Sequence, residues 1–245
     1  MTRRAVVVIL ALVAAVACGS APPPATTLPA EVPTLRVMTW NLQRGQALAG
    51  RLAVADMAPF AALVARNEAD VVGLQEVTRE QAEAISGTLG WATPAYVQTK
   101  NPCPGFPPPL PASCVPFGNA ILSRHPQSDV VHWVLPPSAL ETSLEDRVVL
   151  RSVVDVDGRP LSVYVTHLAA NATEDEREAQ VEEVLARIGD DTGGVLVGDF
   201  NAIPTDDAVT RLTGPFVDAW DEAGPAQPGY TSNAVLGLRR RIDYV

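Results

Sequence analysis

Apolar and polar residues alternate in short runs along most of this chain, and between the runs apolar positions recur at helical spacing. Alternation or compact apolar runs predict strands over Leu35–Leu42, Asp70–Val77, Gly118–Ser123 and Val130–Leu135, then over Arg147–Val156, Leu161–Leu168, Gly194–Phe200 and Arg239–Val245. Met57, Phe60, Ala61 and Val64 mark one face of a helix. Thr78 with Gln81, and Thr173 with Glu176, are capping-box pairs that open two more. The second of these buries a stripe of Val181, Val184, Leu185 and Ile188 and stops at Gly189, expected in a left-handed conformation. Thr205 opens a short further helix, and Asp157-Gly158 joins two strands in a hairpin. No repeat interrupts the series, so residues 35–245 read as one α/β domain.

The first 34 residues follow a different pattern. Arg3 and Arg4 precede the uncharged run Ala5–Ala17, which falls short of the roughly 20 apolar residues of a membrane-spanning helix. This predicts a signal peptide over residues 1–18 rather than an uncleaved anchor. Ala15-Val16-Ala17-Cys18 resembles a bacterial lipobox, in which Cys18 becomes the lipidated N-terminus. Residues 19–34, rich in Pro, Ala and Thr, form an extended tether. Export as a cell-surface lipoprotein or a secreted protein follows, with a membrane contact through Cys18 and the chain otherwise a monomer. The remaining cysteines, Cys103 and Cys114, lie in a Pro-rich stretch and are expected to pair in an oxidising compartment. A ring closed over so few residues stabilises by roughly 2–3 kcal/mol. A zinc site is disfavoured, because no further Cys or His lies near them at ligand spacing.

Charge narrows the choice of partner. With 18 basic against 28 acidic side chains the net charge is −10, which excludes a broad basic nucleic-acid face. An anionic substrate is still compatible if a bound cation reverses the local field.

The chemistry-bearing residues gather at strand ends. Residues two apart share a strand face, which groups Val37, Thr39 and Asn41, then Val72, Leu74 and Glu76. It likewise groups Val163, Val165 and His167; Val197, Asp199 and Asn201; and Arg241, Asp243 and Val245. One polar strand end is ordinary turn or cap chemistry. Five endings, carrying three carboxylates, two carboxamides and an imidazole, point to a hydrolytic metal site at one end of a sheet pair. Oxygen donors of this kind suit Mg²⁺ and not a thiolate-seeking ion.

The segments Leu35-Arg-Val-Met-Thr-Trp-Asn41-Leu, Asp70-Val-Val-Gly-Leu-Gln-Glu76-Val, Gly118-Asn-Ala-Ile-Leu-Ser-Arg124, Thr166-His167-Leu, Gly198-Asp199-Phe-Asn201 and Arg241-Ile-Asp243-Tyr-Val resemble, in order, the motifs of the endonuclease/exonuclease/phosphatase superfamily. This is the DNase I-like group of metal-dependent phosphoesterases. The resemblance runs from residue 35 to the last residue. It implies a four-layer αββα sandwich, two mixed β-sheets flanked by helices, with the last strands missing. It also implies Mg²⁺, with Mn²⁺ and Ca²⁺ as alternatives, held chiefly by Glu76 with Asn41 and Asp243. Asp199 would activate the attacking water, Asn201 would position it and the phosphate, and His167 would donate to a phosphoryl oxygen. Arg147 aligns with a substrate-side residue.

Members of the superfamily also close on a Ser-Asp-His motif beyond the Ile-Asp-Tyr-Val strand. The histidines of this sequence are His125, His132 and His167, and none follows Asp243. The expectation is a truncated sequence or a lost catalytic step, and weak or no turnover by these 245 residues. Two functional classes follow: an exported phosphoesterase acting on nucleic acid, phospholipid or a small phosphoester, and a non-catalytic surface module of the same fold.

Overall fold

The computed structural model describes residues 6–11, 34–45, 57–100, 115–139, 145–191, 193–224, 228–233 and 239–245. The tether, Cys18, Cys103 and Cys114 lie outside the described residues.

Two five-stranded mixed sheets make the body of the molecule. The first contains β1 (Val6–Ala11), β2 (Thr34–Asn41), β3 (Val71–Val77), β4 (Ala95–Lys100) and β5 (Phe117–Ser123), in the order β1-β2-β3-β5-β4. The second contains β6 (Gln127–Val134), β7 (Val148–Val156), β8 (Arg159–His167), β9 (Val195–Asp199) and β12 (Asp243–Tyr244), in the order β12-β9-β8-β7-β6. A separate two-stranded pair joins β10 (Ser232–Asn233) to β11 (Arg239–Arg240). Each large sheet holds a single parallel pair, β2 with β3 and β8 with β9, and its other pairings are antiparallel. Parallel neighbours need a crossover. α1 (Ala58–Arg66) lies in the first crossover and α3 (Glu174–Ile188) in the second. Both parallel pairs end at the sheet edge that carries Asn41, Glu76, His167 and Asp199.

Burial separates three apolar layers. Val37, Val71, Ile121, Leu150, Val163, Val165 and Val197 form the core between the sheets. Met38, Val72, Leu74, Ala120 and Leu122 turn outward against Phe60, Ala61 and Val64 of α1 and Ala82 and Ile85 of α2 (Arg79–Leu89). Val149, Tyr164 and Leu196 cover the opposite face against Val181, Val184 and Ile188 of α3 and Ala208, Val209 and Leu212 of α4 (Asp207–Leu212). Helix, sheet, sheet and helix thus stack as the expected four layers. Among the described residues, no helix is long and apolar enough to cross a membrane.

Local chemistry accounts for the helix starts. Both capping boxes form: the Thr78 hydroxyl accepts from Gln81 N, and the Thr173 hydroxyl from Glu176 N. Each cap is worth about 1 kcal/mol. Asp157 and Gly158 both take positive φ, 53° and 79°, as a tight hairpin turn requires. Several expectations need correction. Gly189 has φ 56° but ψ −128°, outside the left-handed helical region. Asp206, not Thr205, precedes the short helix α4. β4 and the short helix α5 (Ala219–Glu222) have too few apolar residues in register to be read from periodicity. The final strand is two fragments, because Arg239–Arg240 pairs with β10 while Asp243–Tyr244 pairs with β9. Apart from these corrections, Val6–Ala11, inside the apolar run expected to direct export, is an edge strand paired with β2.

Glu176 links the α3 cap to the β6–β7 connection. It accepts from Thr173 N, Ala139 N and the Ser138 hydroxyl. The backbone donors of Thr173 and then Ala139 hold its carboxyl below the usual 4.5. A depressed folded pKa stabilises above 4.5 and is lost as pH falls through the lower folded value. The denaturation midpoints of the wild type and Glu176→Gln should therefore converge as pH drops below 4.5. A gap independent of pH would show that the carboxylate charge contributes nothing.

Candidate active site

Asn41 is the last residue of β2 and lies on its inter-sheet face. Its Nδ2 donates to Glu76 Oε1 at 3.0 Å and to Asp199 Oδ2 at 3.1 Å, so one amide joins the two sheets. The amide orientation is fixed from its other end, where Asn41 Oδ1 accepts from Gln43 N at 2.9 Å.

Glu76 arrives there by a route that simple alternation misses. Val72 and Leu74 face the helices, so strict period two would send Glu76 outward with them. Instead the β3–β5 register shifts between Leu74 and Val77, and Glu76 takes φ 48°. This bulge puts Glu76 on the same side as the buried Gln75, whose Nε2 donates to the Thr39 hydroxyl. The expected grouping of Val72, Leu74 and Glu76 on one face is therefore corrected, while the placement of Glu76 at the site stands. Strain at a non-glycine residue of positive φ costs of order 1–3 kcal/mol and concentrates at functional positions.

Asp199 closes β9 and is 1 % exposed. Its Oδ1 accepts from Asn201 N at 3.0 Å, while its Oδ2 takes the Asn41 amide and lies 4.0 Å from His167 Nε2. Asn201, also at φ 48°, aims its Nδ2 at Leu168 O (2.9 Å) and at His167 Nε2 (3.0 Å). Leu168 O can only accept, which fixes the Asn201 amide and makes His167 Nε2 the acceptor. His167 therefore carries its proton on Nδ1 in this arrangement. Asp243 pairs directly with Asp199 across β12 and β9. Thr231 fixes that strand, its hydroxyl accepting from both Ile242 N and Asp243 N at 3.1 Å. Beside it, burial raises the Tyr244 phenol well above its usual value, and its OH donates to Ala202 O and Arg241 O.

The structure thus brings together Asn41, Glu76, His167, Asp199, Asn201 and Asp243. Arg147 immediately precedes β7 at the same sheet end, 5 % exposed and bonded to Glu145 Oε1 at 3.1 Å. Arg241 departs from the expected shared face with Asp243: its guanidinium pairs with Asp218 and Asp221. Sequence reading also passed over Arg44, Lys100 and Phe117: both cations meet the Phe117 ring, and the next residue, Gly118, pairs with Val77 at the end of β3. The signal available was weak, a cation three residues beyond Asn41 in a polar turn.

Hard-cation fit can be judged from the donors. Among the described residues, no three Asp, Glu, His or Cys side chains converge into a cage. Mg²⁺ does not require one, since it typically takes one or two carboxylates and keeps several waters. Glu76 and Asp199 share one amide nitrogen, and Asp243 is the strand neighbour of Asp199. Three carboxylates at one largely buried strand end fit a hard divalent ion and would be expensive without positive charge nearby.

A two-sheet sandwich carrying carboxylates, amides and an imidazole at one end defines a phosphoesterase-type scaffold, and the comparisons agree. The family model described as "Endonuclease/Exonuclease/phosphatase family" matches residues 38–245, and the chain belongs to that family. Its members are phosphoesterase or nuclease-type hydrolases that typically use divalent metal ions. Among solved structures, an endonuclease/exonuclease/phosphatase from Beutenbergia cavernae is similar at 23 % identity and TM-score 0.65. That match covers 86 % of this chain and 63 % of the other, so the chain spans less than two thirds of that protein. The human Nocturnin catalytic domain with bound sulfate is similar at 20 % identity and TM-score 0.63, over 86 % of this chain and 80 % of that one. Truncated Caenorhabditis elegans TDP2 is similar at 24 % identity and TM-score 0.58, over 85 % and 81 %. These likenesses bear on the fold alone. No curated protein matches.

Proposed function

We propose that this protein is an exported, metal-dependent phosphodiesterase or nuclease-type hydrolase that uses an activated water. The observation carrying this reading is Asp199. It is a buried carboxylate held at both oxygens, by Asn201 N and by the Asn41 amide, and it faces His167 from 4.0 Å. A carboxylate so fixed can orient a water and accept its proton, an arrangement that suits general-base catalysis. Asn201 and His167 are hydrogen-bonded to each other here, so donation to a phosphoryl oxygen would require the Asn201 amide to exchange one of its two acceptors, Leu168 O or His167 Nε2, for that oxygen. Glu76, with Asn41 and Asp243, would hold Mg²⁺, or Mn²⁺ or Ca²⁺ in its place. The ion would supply positive charge that neutralises the phosphoester and acidifies water.

Export rests on Arg3, Arg4 and the apolar run Ala5–Ala17, with Cys18 as the lipidated residue and Cys103–Cys114 as a disulfide. On this reading maturation removes β1 and exposes the edge of β2, because Val6–Ala11 belongs to the cleaved segment. A second reading is a non-catalytic module of the same fold that keeps the Asn41–Glu76–Asp199 contacts without turnover.

Two measurements separate these readings. Purified protein with Mg²⁺ should release product, at a low rate, from at least one member of a panel of DNA, RNA, sphingomyelin and phosphoinositides. Glu76→Gln should weaken Mg²⁺ binding at least about tenfold by calorimetry, given one main carboxylate ligand. Mg²⁺ affinity unchanged in Glu76→Gln would reject the ligand assignment, and an inert panel would favour the non-catalytic module.

A further inference from the structure

We propose that Arg44 and Lys100, set against the ring of Phe117, form a seat for a second phosphate of the substrate, next to the one being cleaved. The inference deepens the phosphoesterase reading and rests on it.

Arg44 lies in the short 3-10 turn Gln43–Gly45 that follows Asn41. Gln43 and Arg44 both have positive φ, 48° and 56°, an unusual conformation for side chains of their size. The turn is held from two directions. Asn41 Oδ1 accepts from Gln43 N, and Gln81 Nε2 donates to Arg44 O at 3.0 Å. Gln81 is also the capping-box partner of Thr78 at the start of α2, the helix that follows the Glu76 strand. The turn carrying Arg44 is therefore tied to Asn41 of the site on one side and to the start of α2 on the other.

Its guanidinium carbon sits 5.2 Å from the centre of the Phe117 ring, and Lys100 Nζ lies 5.7 Å from the same ring. Phe117 is 4 % exposed, and the next residue, Gly118, pairs with Val77 at the end of the Glu76 bulge. Arg44 Nε is buried with no hydrogen-bond partner, and no carboxylate among the described residues pairs with this side chain. Lys100 reaches Glu145 at 3.9 Å, and Glu145 also holds Arg147 at 3.1 Å. Two cations, Lys100 and Arg147, thus share Glu145, and Arg44 shares the Phe117 ring with Lys100, in a chain of net charge −10.

A buried donor without an acceptor is costly, and a cationic one more so. Aromatic stacking holds such a group in place without satisfying its N–H donors. A planar fork beside a flexible ammonium matches the several oxygens of a phosphate. The scissile phosphate belongs with Glu76, His167 and Asp199, so these cations would take the neighbouring phosphate of the same substrate.

The test uses two probes, a thymidine dinucleotide with a 5′-terminal phosphate and the same dinucleotide without it. The full chain should prefer the first in kcat/KM. Arg44→Ala should lower that preference about tenfold through KM, Lys100→Ala should lower it less, and Arg44→Lys should restore most of it. Circular dichroism checks that each variant is folded. Binding of the terminally phosphorylated dinucleotide, measured by calorimetry in an Asp199→Asn background, gives a readout independent of turnover. An Arg44→Ala variant with undiminished preference and undiminished binding overturns the inference and leaves the hydrolase reading intact. Binding that depends on Arg44 in a chain that cleaves neither dinucleotide supports the seat and counts against the hydrolase reading.

Discussion

Replacing Asp199 by Asn lowers phosphodiester turnover about a thousandfold, the middle of the range for loss of a positioned base. That corresponds to about 4 kcal/mol of barrier. The geometry makes the carboxylate hard to replace. Asp199 accepts at both oxygens, from Asn201 N and from Asn41 Nδ2. An amide of the same shape can accept at only one end. Its NH₂ would then meet either a backbone donor or the Asn41 amide, donor against donor. The substitution therefore removes the proton acceptor and loosens Asn41, a side chain bonded to both Glu76 and Asp199. Steady-state hydrolysis of bis(p-nitrophenyl) phosphate with Mg²⁺ reads the first effect, and thermal melting the second. Turnover within threefold of the parent would remove Asp199 from the reaction altogether.

Part of this site was legible because Asn41, His167 and Asp199 end strands whose interiors alternate. Asn41, His167 and Asp199 continue the inter-sheet faces of Val37, Val165 and Val197, as period two predicts. Glu76 was placed at the right end for an incomplete reason. Alternation alone sends it to the helix side, and a bulge with φ 48° turns it inward, a backbone event that no hydrophobic pattern records. The same limit explains the C-terminal region. Arg239–Val245 looks like one strand, but Thr231 captures the N–H groups of Ile242 and Asp243, and the segment divides between two sheets. Arg44 was invisible for a different reason. Its role depends on Phe117, which is distant in sequence and meets it only through pairing of β5 beside β3. The four-layer architecture was read from the ordered motifs, and burial on both faces of each sheet bears it out.

Gly198→Ala should be among the most damaging single substitutions in the chain, although it adds one methyl group and leaves every site side chain in place. Gly198 pairs with Thr166 in the parallel β8–β9 ladder. A Cβ built there would lie 2.1 Å from Thr166 O and 3.0 Å from its carbonyl carbon. Those atoms are backbone, so no rotamer change can clear them, and the two strands must separate locally. Overpacking typically costs 1–3 kcal/mol, and about 3 kcal/mol is reasonable where ladder hydrogen bonds are also stretched. For a domain of this size that lowers the melting temperature by about 10 °C. The strain falls directly on the site, since His167 and Asp199 are the next residues on the two strands and are registered opposite each other. Any widening alters their 4.0 Å approach and the Asn201 bonds that span it. Activity should therefore fall even at temperatures where Gly198→Ala remains folded. Gly193→Ala is the matched control, because a Cβ there meets nothing within 4 Å and φ is not positive. That control should melt within about 2 °C of the parent, consistent with the small effect of a surface change. Equal melting temperatures for the two variants would show that the β8–β9 contact relaxes freely, and that the separation of His167 and Asp199 is not fixed by the glycine between the strands.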